Sequence, residues 1–313
     1  MIHVLFMARL SIVHDLAKYG FQAYALGGGR VLCRPEHVGF FGSGYWSFSQ
    51  LTNETRSNLE ELCERHPQSA LNFEALRRKN SSKFFLLKHA GNFYFVKTAP
   101  EQFIGGQYRY RSRWAKRELF TSAHWHATHP DNAVEPIGYL KLTENSGLSQ
   151  FLAFRFEPEF EGFNHFHSGL QSASKDRSPS WLTKRRLQLA RLMGESVGAA
   201  HAEAIGHGDL AHWNFIIRHD GDFMPTHVKL VDFEFAKMST PWSGPSLASH
   251  SPGFVETLTS DLTRLYVEHS VEHREPTPAE TLTFLRAYLR KFKPVNRNGY
   301  LKSIAKKILV RSR

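Results

Sequence analysis

Hydrophobic residues recur along this chain with two main periods, about two residues in some segments and about 3.6 in others. The shorter period is typical of strands and the longer one of amphipathic helices. The segments with strand character are Phe73–Arg77, Lys83–His89, Asn92–Thr98, Ile137–Leu142 and Gln150–Phe156. Because turn residues connect the first three of them, we expect a small antiparallel sheet in this region.

Helical periodicity is clearest over Trp181–Ala204, where Leu182, Leu189, Met193 and Val197 fall on one side. Further helices are predicted over 53–65, 112–127, 261–268, 279–292 and 299–311. Loops are predicted over 168–180 and 241–252, where polar residues, Pro and Ser accumulate. A sheet followed by mainly helical sequence indicates the α+β class.

The first 66 residues carry the weakest pattern. The Gly27-Gly28-Gly29 triplet lacks the G-x-G-x-x-G spacing of a nucleotide loop, so it is interpreted as a turn between two short strands. Two interpretations of this segment stay open: it packs on the predicted sheet, or it shapes the entrance to a substrate site.

The net charge of +11 is concentrated near one end of the sequence. From Thr281 to Arg313 there are ten Lys and Arg residues and no Asp or Glu, so this segment holds ten of the eleven excess charges. The rest of the chain is nearly neutral, which argues against a protein that coats nucleic acid. The segment 299–313 either lies on an anionic membrane or forms a last helix with a solvated basic face.

Cysteine usage and hydropathy bear on location. Cys33 and Cys63 form neither a disulfide framework nor a metal-ligand cluster, which fits a reducing cytosol. No apolar run reaches the roughly 20 residues that span a bilayer. Met1–Val13 is apolar but lacks a basic start and a small-residue cleavage site, so a signal peptide is not expected. The expected location is the cytoplasm, with peripheral membrane contact through 299–313 as an open alternative.

The strongest chemical signal lies between Gly206 and Lys237. The loop His207-Gly208-Asp209 is followed by Asn214 and by an apolar triplet, a turn, and a second apolar run that delivers Asp232. A hairpin between the two polar groups would bring Asp232 back beside Asn214. Phosphoryl transfer mainly requires positioned groups and neutralised charge. We therefore expect Asp209 to accept the proton of an attacking hydroxyl, and Asn214 and Asp232 to bind magnesium.

The segments HGDLAHWN and LVDFEFA resemble the catalytic region of the aminoglycoside phosphotransferase and choline kinase group. This resemblance implies a two-lobed protein-kinase-like fold, with a small antiparallel-sheet lobe at 67–156 and a mainly helical lobe at 157–313. It does not extend to residues 1–66, which stay an extension of uncertain fold. A departure from protein kinases is Glu234, which stands where their D-F-G motif has glycine; small-molecule kinases commonly show this change.

The same resemblance implies a nucleotide site for ATP in the smaller lobe. Lys97, at the end of the apolar segment FYFVK, would contact the α- and β-phosphates. Its expected partner is Glu118, although a local ion pair of Glu118 with neighbouring basic residues is an alternative. Backbone groups near Phe156 and Glu157 would meet the adenine. The turn that contains Ser81 and Ser82 would cover the phosphates, without the usual glycines.

Other polar residues of the catalytic segment receive supporting roles. The ring of His207 is expected to hydrogen-bond the backbone near Asp232 and brace the loop. His212 and Trp213 are either acceptor contacts or packing residues. Asp261 would anchor the backbone of the catalytic loop, or would be a simple carboxylate in the first turn of a helix.

These observations predict an ATP- and magnesium-dependent phosphotransferase that acts on a hydroxyl of a small molecule or sugar, such as a glycan precursor or an aminoglycoside-like acceptor. Two alternatives remain. One is a lipopolysaccharide-type sugar kinase at the inner membrane surface. The other is a pseudokinase or scaffold that binds a partner or a membrane without catalysis. The sequence indicates neither the acceptor nor the oligomeric state.

Overall fold

The computed structural model describes residues 15–26, 28–44, 46–79, 84–100, 108–142, 148–238, 252–272, 275–294 and 297–311. These residues form two compact units. The first draws on Met1–Pro130 and Val134–Glu159, and the second on Asp131–Ala133 and Phe160–Arg313. The first unit is built on an antiparallel sheet and the second is mainly helical, which confirms the predicted α+β class.

The sheet of the first unit has six antiparallel strands in the order β1-β2-β5-β6-β4-β3. Their bounds are Gln22–Leu26 (β1), Gly29–Cys33 (β2), Phe84–His89 (β3), Asn92–Pro100 (β4), Pro136–Leu142 (β5) and Leu148–Arg155 (β6). The strands predicted at 83–89, 92–98, 137–142 and 150–156 are thereby confirmed. β1 and β2 form the hairpin expected around the glycine triplet, and β2 pairs with β5, so this early segment belongs to the sheet.

Helices cover this sheet. Their bounds are Val38–Phe41 (α1), Phe48–Arg65 (α2), Pro67–Lys79 (α3) and Tyr108–Thr128 (α4). β3 lies at the edge of the sheet, where unpaired backbone groups need partners. Two side chains of α2 supply them: Thr55 Oγ1 accepts from Leu86 N at 3.1 Å, and Asn58 Nδ2 donates to Leu86 O at 2.9 Å. The edge is therefore covered by a helix.

The strand predicted over Phe73–Arg77 is wrong, because these residues belong to helix α3. Ala70 and Phe73 are spaced one helical turn apart and are buried against Leu62, Leu86 and Phe93. Packing of this apolar face stabilises the helix, and a five-residue pattern alone does not distinguish it from a strand. The turn predicted after it, which holds Ser81 and Ser82, lies outside the described residues.

A charged cluster joins the early strands to the rest of the sheet. Glu135 lies 3.4 Å from Arg34 Nη1, 3.7 Å from His37 Nε2 and 3.3 Å from Arg155 Nε. The interaction with His37 is the largest influence on the pKa of Glu135; burial opposes it, Arg155 adds to it, and the pKa is held at about 2. The ionised carboxylate is thus favoured by folding.

We expect Glu135→Gln to lower the free energy of unfolding at neutral pH. We also expect the free energy of unfolding of the variant to fall less steeply than that of the wild type as the pH is lowered. The pKa of Glu135 falls from 4.5 to about 2 on folding, so its contribution is complete above pH 4.5 and is lost as the pH falls toward 2. Urea midpoints measured across this pH range would test the expectation. An equally steep acid dependence in the variant and the wild type would contradict it.

Among its described residues, the second unit contains five helices and two small sheets. The helices are Phe163–Ala173 (α5), Pro179–Ala202 (α6), Pro252–Glu272 (α7), Pro278–Lys291 (α8) and Arg297–Arg311 (α9). The strands are Glu161–Gly162 (β7), Ile205–Gly206 (β8), Phe215–His219 (β9), Pro225–Leu230 (β10) and Lys237–Met238 (β11). They form the sheets β10-β9-β7 and β11-β8.

Most of the predicted helices are confirmed, with two corrections. The loop predicted over 168–180 is wrong, since α5 runs to Ala173 and a 3-10 turn follows over Ser174–Asp176. Phe163, Phe166 and Leu170 of α5 are buried at helical spacing, which the polar residues between them obscured. The helix predicted to open at Asp261 begins nine residues earlier, at Pro252, in a segment rich in Ser and Pro. Among the described residues, none of the helices is long and apolar enough to cross a membrane.

Candidate active site

The loop that carries Asp209 leaves β8 and runs alongside the segment that follows Asp232. β8 pairs with β11, with Gly206 opposite Lys237. Between them, Gly208 has φ +80° and its missing Cβ would stand 2.4 Å from Phe235 O. Only glycine fits this close approach and this backbone conformation. The glycine therefore brings the two polar loops together.

Asp261 of α7 anchors the backbone of this loop. Its Oδ2 accepts from His207 N at 2.7 Å and its Oδ1 accepts from Gly208 N at 2.8 Å. The residue is 2% exposed and lies well inside α7. The predicted anchoring contact is confirmed, and the alternative of a first-turn carboxylate is wrong.

The anchor continues into a buried chain of polar contacts. His201 Nε2 of α6 lies 3.5 Å from Asp261 Oδ2, and its Nδ1 is 2.9 Å from the hydroxyl of Tyr288 on α8. That hydroxyl is in turn 2.8 Å from the hydroxyl of Tyr300 on α9. Burial raises the pKa of both tyrosines, so both stay protonated at neutral pH. Four helices thus contribute to one polar network behind the loop.

The side chain of His207 also stabilises the loop. Its Nε2 donates to Val231 O at 2.9 Å, next to Asp232, and its ring lies 5.1 Å from that of Phe233. The residue is 1% exposed. The hydrogen bond expected from the sequence is present, and the burial favours a bracing role over contact with a substrate.

Asn214 and Asp232 are brought together by the hairpin of β9 and β10. Leu230 pairs with Phe215, and Val231 N donates to Asn214 O at 3.0 Å, so Asp232 follows directly after the backbone pairing. The predicted hairpin is therefore confirmed. Asp232 has φ 66° and ψ 57°, a left-handed conformation that an aspartate adopts at a cost and that is enriched at functional sites.

The donor set fits magnesium. Asn214 Nδ2 donates to Asp209 O at 2.8 Å, which fixes the amide and leaves its Oδ1 as the group for a cation. A magnesium ion takes one or two protein oxygens and completes its shell with phosphates and water. The described part of the chain holds no group of three or more His, Cys, Asp or Glu suited to a metal ion.

Asp209 itself is partly buried, with 22% of its side chain exposed. Its Oδ1 forms an ion pair with Arg264 Nη1 of α7. Burial raises the pKa of Asp209, while Arg264 and His207 act in the opposite direction. Sequence reasoning missed Arg264, which lies three positions after the anchoring Asp261.

The first unit brings together the two residues predicted to bind the phosphates of a nucleotide. Lys97 Nζ of β4 lies 3.0 Å from both carboxylate oxygens of Glu118 on α4. Glu118 is 3% exposed, so this pair is not the solvated local ion pair considered as an alternative. Lys97 is opposite Leu152 of β6, which holds it within the sheet.

The segment expected to meet the adenine follows β6. Phe156 N donates to Phe93 O at 2.9 Å, and the Phe156 ring packs edge-on against Phe73 at 6.0 Å. The N–H of Phe156 is thus already hydrogen-bonded to Phe93 within the first unit. A hydrogen bond to adenine would therefore come from the carbonyl of Phe156 or from the backbone of Glu157.

The residues expected near the acceptor differ in burial. His212 is fully buried, with its ring 5.2 Å from that of Phe163 and 4.9 Å from that of Trp213. This burial favours packing for His212, so its predicted contact with an acceptor is not supported. Trp213 is only partly buried, as is Glu234, which lies in the 3-10 turn Phe233–Phe235.

The order of elements defines the class of the molecule. An antiparallel sheet with its Lys–Glu pair precedes a mainly helical unit that carries the H-G-D loop, the β9–β10 hairpin and the D-F-E turn. This is a protein-kinase-like fold, as the sequence predicts.

Matches to this chain are found among solved structures. A scan against protein-family models and a search of curated proteins each found no match. Among solved structures, WaaP in complex with acyl carrier protein is 16% identical over 74% of this chain and 85% of that one, with a TM-score of 0.49. A rhoptry antigen kinase domain of Toxoplasma gondii is 14% identical over 73% and 79%, with a TM-score of 0.42.

Proposed function

We propose that this protein is an ATP- and magnesium-dependent phosphotransferase that acts on a hydroxyl of a small molecule or a sugar. The observation that carries the proposal is the hydrogen-bonded loop that contains Asp209 and Asn214. The hairpin joins this loop to Asp232, and buried hydrogen bonds of Asp261 and His207 hold the backbone in place. Rigid support of this kind is what phosphoryl transfer requires, because positioning and charge stabilisation supply most of its catalysis.

Each residue has a distinct part in the proposed reaction. Asp209 orients the acceptor hydroxyl and accepts its proton. Asn214 Oδ1 and Asp232 hold the magnesium ion, and Lys97, fixed by Glu118, contacts the phosphates of ATP. When bound, magnesium supplies positive charge to the phosphate oxygens. Asp232 follows the end of β10 in a left-handed backbone conformation, which supports a functional role for its carboxylate.

The resemblance to aminoglycoside phosphotransferases and choline kinases supports a small polar acceptor. A lipopolysaccharide-type sugar kinase at a membrane surface is the second candidate. In favour of it, Lys302 and Lys306 of α9 are exposed. Tyr300 and Ile304 of the same helix are buried, so contact with an anionic membrane would be electrostatic rather than through an inserted apolar face.

The third candidate, a pseudokinase or scaffold, would bind a partner or a membrane and transfer nothing. A chain without catalysis has no need for a buried Lys97–Glu118 pair, a strained Asp232 and a braced Asp209 together. The pseudokinase therefore differs from the first two candidates in one measurable property, the transfer of phosphate from ATP to a hydroxyl.

The proposal predicts that ATP with magnesium raises the unfolding temperature and that phosphate is transferred to a sugar or aminoglycoside in a panel. Nucleotide at 100 times its Kd adds about 2.7 kcal/mol to stability. Lys97→Ala should remove most of this shift. Lys88→Ala is the matched control, since Lys88 also pairs with a glutamate, Glu61, at 2.6 Å but on the edge strand β3. A wild-type protein with no shift and no turnover would exclude the enzyme.

A further inference from the structure

The catalytic loop contains no cation of its own. Between Gly206 and Asn214 the sequence is GHGDLAHWN, without Lys or Arg. Phosphoryl transfer places negative charge on the oxygens of the moving group, and a nearby cation, often arginine, stabilises it. Apart from a magnesium ion held by Asn214 and Asp232, positive charge on this side of the site would therefore have to come from another element.

Arg264 is in the position to supply that charge. It lies on α7, one helical turn after Asp261. The helix that anchors the loop backbone therefore also places a guanidinium beside the carboxylate of Asp209. The guanidinium contacts Asp209 Oδ1, and its Nε lies 3.7 Å from Glu268 Oε1. One third of the side chain is exposed, so part of it can face a substrate.

We propose that Arg264 is the catalytic cation of the transfer step: it holds the carboxylate of Asp209 toward the acceptor and contacts the transferred phosphoryl group. In this step the acceptor oxygen forms a bond to the γ-phosphorus. The bond from phosphorus to the β,γ-bridging oxygen breaks, and its electron pair leaves with ADP. The acceptor proton passes to Asp209.

The guanidinium suits both contacts. It presents five N–H donors in a planar fork, so it can donate to a carboxylate on one edge and to phosphate oxygens on another. A lysine has a single ammonium centre and cannot divide its donors in the same way. Because α7 is held in place by the contacts of Asp261 with the loop, the cation is preorganised rather than recruited.

This inference rests on the proposed function, and the experiment separates the two. Wild type, Arg264→Gln, Arg264→Lys and Glu268→Gln would be compared for kcat, for KM of ATP and for unfolding temperature. We expect Arg264→Gln to lower kcat by about 10²–10³-fold, with little change in KM of ATP. Arg264→Lys should recover only part of the loss. Glu268→Gln, which removes a neighbour of Arg264 outside the loop, should retain most of the activity.

Chemical rescue by guanidinium ions in solution would distinguish a catalytic role of Arg264 from a structural one. Added guanidinium ions at concentrations below those that unfold the protein should raise kcat of a small-side-chain variant, Arg264→Ala, but not of wild type. Full activity of Arg264→Gln, or a loss explained by a parallel fall in unfolding temperature without rescue, would overturn the role of Arg264. A wild-type protein without phosphoryl transfer would instead overturn the proposed function itself.

Discussion

Replacement of Asp209 by Asn should lower kcat by about 10²–10⁴-fold while the protein stays folded. The amide keeps the shape of the carboxylate but cannot accept the proton of the acceptor hydroxyl. It also no longer attracts Arg264, whose guanidinium contacts Asp209 Oδ1. Loss of a partly exposed ion pair changes stability by only about 0–1 kcal/mol, so unfolding temperature should shift little. Steady-state turnover with the acceptor found in the panel, together with a melting curve, measures both effects.

Asp222→Asn is the matched control for this experiment. Asp222 also forms an ion pair with an arginine, Arg185, but it lies in the β9–β10 turn and has no part in the proposed chemistry. We expect this variant to retain its turnover. Full activity of Asp209→Asn would show that Asp209 is not the base, whatever the behaviour of the control.

Asp261→Ala should lower the free energy of unfolding by about 2–6 kcal/mol, because two backbone N–H groups lose their buried acceptor at about 1–3 kcal/mol each. These are the N–H groups of His207 and Gly208. Since the same bonds position Asp209, turnover should fall even at temperatures where the variant is folded. Urea unfolding of wild type and variant, followed by assays well below the midpoint, measures the two effects separately.

Asp261→Asn provides the graded comparison. The amide keeps one oxygen acceptor and turns a second donor toward an N–H group, so it should cost stability as well, although it leaves no cavity. A stability close to wild type in both variants would mean that water replaces the carboxylate, and the anchoring role would be wrong.

The strands and the catalytic hairpin could be predicted because their signals are local. The run after Asn214, the turn at His219–Asp222 and the run before Asp232 specify a hairpin within 20 residues, and β9 and β10 form it. The family resemblance predicts the pairing of Lys97 with Glu118. The structure adds two facts about this pair: the carboxylate of Glu118 is buried, and both of its oxygens accept hydrogen bonds from Lys97.

The rest depends on contacts between residues far apart in the chain. The ion pair of Arg264 with Asp209, and the hydrogen bonds from His201 through Tyr288 to Tyr300, join positions whose own surroundings show only ordinary amphipathic helices. No local periodicity predicts such pairings. The sequence predicts a strand where α3 forms, because the short apolar pattern fits either period and only the packing against Phe93 favours the helix.

The backbone at Asp232 restricts which mutations the protein can accept there. At φ 66°, glycine, asparagine and aspartate are the residues that tolerate the conformation best. Glycine adopts this conformation without steric strain, and asparagine tolerates it about as well as aspartate does, but neither carries a negative charge. Glutamate keeps the charge but fits the backbone less well and places its carboxylate one methylene farther out. No single substitution keeps both properties, so this position should be among the least tolerant in a mutational scan for activity, while a scan for stability alone should accept glycine.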